Sequence, residues 1–119
     1  MGNLRHKREI KQFCSSSKHW NDLDQAAKAL GSTKILYVDS ILVMFADYLK
    51  VNPCQPFYTP TGNPKTNPLA ISKKVMTLVN HACETYGVSH IIFIYTAIIK
   101  HLERRKDIAS SYAISGPKV

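Results

Sequence analysis

The chain has 119 residues, 45% of them hydrophobic, enough for one compact domain and too few for two independent cores. Sixteen Lys and Arg against eight Asp and Glu give a net charge of +8, a balance typical of chains that meet polyanions, with nucleic acid the first to consider. Cys14, Cys54 and Cys83 are odd in number and widely spaced, which speaks against a disulfide framework and a paired-cysteine metal site. No apolar stretch approaches the roughly 20 residues that span a bilayer, and the first residues lack the apolar core of a secretory signal. The expectation is a cytoplasmic protein with no membrane partner.

Residues 1–18 mix bases with a Ser run and show no sustained apolar period, so they read as a basic flexible arm. Its Arg5, Lys7, Arg8 and Lys11 are candidates for tracking phosphates or entering a minor groove. Residues 19–51 read as a helical hairpin. Asn21 precedes Asp22 and Asp24, a capping residue followed by acids that suit a helix start, and Leu23, Ala27 and Leu30 follow near helical spacing up to Gly31. Ser32 and Thr33 can cap a second helix bearing Val38, Ile41, Leu42, Phe45 and Leu49, which Asn52-Pro53 ends.

Five of the six prolines fall between residues 52 and 68. The segment 52–65 is therefore predicted to be a non-helical connector running extended over the surface. Beyond it, Ser72 can cap a helix with Val75, Leu78, Val79, Ala82 and Cys83 on one stripe, stopped by Gly87. Ser89 is placed to cap a last helix with Ile91, Ile94, Tyr95, Ile98 and Leu102. That helix is apolar almost all round, so it must be buried on several sides, and the 19–51 helices are expected to pack on its outer face. Residues 107–119 read as a tail.

Residues 66–104, within a DNA-binding unit expected over 66–106, resemble the ribbon-helix-helix family of the Arc and MetJ repressors. The resemblance rests on Val75, Leu78, Val79 and Ala82 in the first helix, the Gly87-Val88-Ser89 turn, and Ile94, Ile98 and Leu102 in the second. It implies a mainly α fold: a ribbon-helix-helix dimer with one short strand and two helices per chain, here with two additional N-terminal helices. The implied strand, Thr66 to Ile71, would pair with its twin from a second subunit. Leu69, Ile71, Val75, Leu78, Val79, Ile94, Ile98 and Leu102 would then form the dimer core.

The resemblance further implies that Lys65, Thr66, Pro68 and Ala70 face the DNA major groove. Pro68 and Ala70 lack hydrogen-bonding side chains, so readout would rest on Thr66, apolar contact with thymine methyls and DNA shape. Phosphates would meet Lys73 and Lys74 and the free amides around Ser89 and His90. No Gly-rich phosphate loop, HExxH or paired-cysteine zinc pattern occurs, so no cofactor, no metal and no enzymatic activity are expected. The reading is a homodimeric regulator of transcription that binds double-stranded DNA, of a kind common on plasmids and phages. The alternatives are a helical protein-interaction module, or a relaxosome or partition accessory protein with a degenerate ribbon.

Overall fold

The computed structural model describes the backbone of residues 8–115 and the side chains of residues 8–105. Along the chain run β1 (Arg8–Ser15), α1 (Ser17–Ala29), α2 (Lys34–Val51), β2 (Lys65–Ser72), α3 (Lys73–Tyr86) and α4 (His90–Ser115). This is a strand-helix-helix unit repeated once, a mixed α and β fold and not a mainly α one.

The repeat is written in its punctuation. Ser16 and Ser72 cap α1 and α3 by accepting from the amides of His19 and Val75. Gly31 and Gly87 take φ of 67° and 66°, left-handed angles that strain any side-chain-bearing residue, and each lets the chain leave a helix sharply. Thr33 and Ser89 then cap α2 and α4. Each member of the second set stands 56 residues after its counterpart, as from Ser16 to Ser72 or from Gly31 to Gly87. The two helix pairs bend at their turns by similar angles, 99° and 105°.

β1 and β2 pair antiparallel as a two-stranded ribbon. The register sets Gln12 opposite Pro68, and these are the same position of the repeat; Ile10 opposes Ala70 and Cys14 opposes Thr66. A strand whose central residue faces its own counterpart is related to its partner by a local two-fold axis, as in a symmetric dimer. Here both halves belong to one chain.

Three expectations are overturned by this arrangement. Residues 8–15 are a paired strand, not part of a flexible arm. Phe13 is fully buried, and Ser15, also buried, is satisfied by a 2.6 Å hydrogen bond between its hydroxyl and Nδ1 of His19. The strand for which a second subunit was expected finds its partner in cis, so Leu69 and Ile71 are buried within one chain. The two N-terminal helices are not additions to a completed unit, since α1 and α2 occupy the positions of α3 and α4 in the other half. α1 also begins four residues before Asn21, because Ser16 takes the capping role.

The core joins the two halves. Leu23, Ala27, Val38, Ile41 and Leu42 pack with Val75, Val79, Ile94, Ile98 and Leu102, all buried. Leu78, expected in this core, is 41% exposed, and Met76 is buried there beside Val75 and Val79. The connector is non-helical and runs over the surface as expected, and it is tied down across the helices. Phe57 meets the rings of Phe45, Tyr86 and Phe93, and the Tyr58 amide donates to Oγ1 of Thr96 at 2.8 Å. α4 runs on to Ser115, so most of the expected tail is helix. Among the described residues no single helix is long and apolar enough to cross a membrane.

Candidate nucleic-acid interface

Side-chain alternation divides the ribbon into two faces. Phe13, Ser15, Leu69 and Ile71 point into the core, leaving Ile10, Gln12 and Cys14 from β1 and Thr66, Pro68 and Ala70 from β2 on the other side. Ile10 is 61% exposed, and Gln12, Thr66 and Pro68 are also exposed. Of the predicted ribbon residues, Thr66, Pro68 and Ala70 are thus brought together on the outward face. Lys65 is not: by alternation it falls on the inner side, exposed only because it opens the strand. Ile10, Gln12 and Cys14 complete the face and were missed by sequence reasoning. The signal that could have found them is the recurrence of the capping residues and glycines, which places Arg8–Ser15 where the second half has its strand.

The start of α4 lies close to the inner edge of β1. Ser89 accepts from the Ile92 amide at 3.2 Å, and Nε2 of His90 lies 2.6 Å from the Asn80 side-chain oxygen, which makes the imidazole the donor. Burial and the Lys11 ammonium both push the His90 pKa down, partly offset by Glu9. His90 is therefore neutral at pH 7, and Lys11 supplies the positive charge at this corner. Lys11 and Arg8, expected on a mobile arm, are fixed in β1. The Arg8 guanidinium pairs with Asp39 of α2 and donates to the Ala70 carbonyl, each at 3.0 Å, while Asp39 also accepts from the Ser72 amide. Arg5 and Lys7 lie outside the described residues.

The equivalent corner of the other half is the start of α2, where Thr33 caps and Lys34 follows. Lys34 sits 3.7 Å from the Trp20 ring centroid and 3.6 Å from Asp24. A groove of about 260 Å³ runs from here along the ribbon, lined by Ile10, Trp20, Lys34, Ile35, Pro68 and Ala70. Lys73 and Lys74 open α3, exposed and without ion pairs among the described residues.

One electrostatic feature is shared by the helix starts. None of the four has an acid in its first turn, although carboxylates are favoured there by the positive end of the helix dipole. Lys18, Lys34, Lys73 and Lys74 stand there instead, and His90 opens α4. Cations at these positions oppose the dipole and so disfavour the folded chain slightly, while an approaching anion would meet both the lysines and the free amides.

Other chemistry is sparse. Among the described residues no group of three or more His, Cys, Asp or Glu is placed to hold a metal. Burial pushes the Cys83 thiol up to about 11, leaving it protonated and unreactive at neutral pH. His101 accepts from or donates to the Tyr37 hydroxyl at 2.5 Å, and burial together with Arg105 and Arg104 lowers its pKa from 6.5. A histidine held neutral in the fold but free to protonate when unfolded makes stability fall as pH drops below about 6.5. His101 and His90 act in the same direction, whereas Asp24, held low by Lys28, titrates at lower pH. Urea midpoints are thus expected to decrease from pH 7.5 to pH 5.5, and to decrease less in His101→Gln; a midpoint that rises on acidification would contradict this assignment.

Compared with protein-family models, curated proteins and solved structures, the chain matches none of them.

Proposed function

We propose that this protein binds double-stranded DNA as a single chain, laying the outward face of its β1–β2 ribbon in the major groove, as a transcription regulator or an accessory protein of a DNA-processing complex. In this reading the ribbon-helix-helix resemblance extends over both halves, and the covalent repeat does what two subunits do in the family. The observation that carries the proposal is the electrostatic one: lysines, not acids, open the first three helices, and the N-termini of α2 and α4 flank an exposed ribbon face. A two-stranded ribbon is of a size that enters the major groove, and helix N-termini on either side are suited to the phosphates that border it. On the ribbon, Gln12 can make paired hydrogen bonds to an adenine edge, Thr66 can bond either strand, and Ile10 and Ala70 suit thymine methyls.

The test is selection of bound sites from random duplexes with the purified chain, followed by the salt dependence of binding to the selected site. A steep fall in affinity with salt is expected. Lys73→Ala and Lys74→Ala should weaken binding to all duplexes alike and reduce the logarithmic salt slope by roughly one each. Unchanged affinity and slope in both variants, or selection that returns no motif, would refute this placement of the DNA face.

A further inference from the structure

A second groove, of about 270 Å³, opens between α2 and α4 beyond their first two turns. It shares no lining residue with the ribbon or with the helix starts, so its role is independent of the DNA reading. Its walls are the same four positions of the repeat: Ile41 and Ala97, Met44 and Lys100, Phe45 and His101, Tyr48 and Arg104. The groove therefore lies on the local two-fold axis. In a dimer of identical subunits the two walls would be identical, and here they have diverged in one direction. The α2 wall is apolar and aromatic, with Phe45 and Tyr48 stacked at 6.0 Å. The α4 wall is cationic, with Arg105 adding to Lys100 and Arg104, and among the described residues no carboxylate lines the groove.

Among the described residues no carboxylate accounts for these cations. The sequence places Arg104 and Arg105 at a helix C-terminus, where they would favour the dipole, but α4 continues to Ser115. Neither arginine makes an ion pair among the described residues, and Lys100 has only the face of Tyr48, at 5.5 Å.

We propose that the groove binds a small amphipathic monocarboxylate, its apolar body against Ile41, Phe45 and Tyr48 and its carboxylate on Lys100 and Arg104. An arginine fork beside a lysine over an apolar floor is the arrangement that recognises such an anion, through charge-assisted hydrogen bonds at one end and burial at the other. The volume, about 270 Å³, is near the lower end of small-ligand pockets, about 300 Å³, which suits a short-chain acid.

The test titrates the full isotope-labelled chain with hexanoate and octanoate, and with hexanol and octanol as uncharged controls, following amide shifts. Shifts centred on residues 41–48 and 97–105 are expected, with octanoate tighter than hexanoate and each acid about tenfold tighter than its alcohol. Lys100→Gln with Arg104→Gln, both at solvent-accessible positions, should remove that tenfold preference and leave alcohol binding and DNA affinity as they were. Met44→Glu, which sets a carboxylate at the half-exposed mouth, should weaken the acids alone. Equal affinity for acids and alcohols, absence of saturable shifts in the groove at millimolar acid, or a loss of DNA affinity in the double variant that matches the Lys73 and Lys74 variants would each overturn the proposal. The last would assign these cations to the duplex.

Discussion

Deleting residues 1–15 is expected to abolish the cooperative fold. β1 pairs with β2 along its whole length, so its loss strips β2 of this ladder and uncovers Leu69 and Ile71. Phe13 is the anchor on the β1 side: it is fully buried and stacks against Trp20 at 6.2 Å and Tyr95 at 6.4 Å, joining α1 to α4 across the local axis. Phe13→Ala isolates that packing and should cost about 3–5 kcal/mol, a large part of the roughly 5–15 kcal/mol by which a domain is stable. The measurement is a lower urea midpoint at an unchanged slope for Phe13→Ala, and loss of the thermal transition for the deletion. A truncated chain that still melts cooperatively as a monomer would show that β1 is an accessory arm after all.

The strand that anchors the fold is the one the sequence disguises. In β2 the inward positions carry Leu69 and Ile71, and Ser72 caps α3 directly after them, so strand, cap and helix can be read in succession. The equivalent inward positions of β1 are Phe13 and Ser15, and a buried serine breaks the alternation that marks a strand. Ser15 is tolerated because His19, one turn into α1, satisfies its hydroxyl, a compensation visible only in three dimensions. The Ser15-Ser16-Ser17 run then offers three capping residues in a row, which blurs the helix start and makes Asn21 with its following acids look the better boundary. The second helix of each half is legible in its central turns, although Ile91, expected on the α4 stripe, is 41% exposed and α4 runs on past its expected end. The apolar positions of α2 from Val38 to Leu49 are buried as their spacing predicts, as are Ile94, Ile98 and Leu102 of α4.

The all-round apolarity of α4 does signify burial on several sides, though the covering elements differ from those expected. α4 is covered by the first half of its own chain, including β1 and the connector, instead of by helices added outside a finished dimer. The candidate site follows the same course. Thr66, Pro68 and Ala70 are legible as one outward trio, and the weakness of that trio in hydrogen-bonding groups is legible too. What supplies the missing groups is the other strand, whose Gln12 no local pattern marks as outward until Phe13 is known to be buried.

Gln12→Ala is expected to relax base discrimination at one position by about 1–3 kcal/mol, the worth of a good bidentate pair with adenine. Its consequence is directional. In a dimer of identical chains the two central residues of the ribbon would be the same and the preferred site a palindrome. Here the central pair is Gln12 and Pro68, with Ile10 facing Ala70 and Cys14 facing Thr66 across it, so the two halves of the bound duplex meet different side chains. The selected site should accordingly be asymmetric, with one strong position on the Gln12 side that Gln12→Ala weakens while affinity for random duplex holds, since that affinity comes from the lysines. Pro68→Gln supplies the converse test: a second glutamine at the equivalent position should add a second strong base and draw the selected sequence toward two-fold symmetry. A palindromic site for the unaltered chain, or an identical selected motif with and without Gln12, would mean that the outward ribbon face does not read the bases.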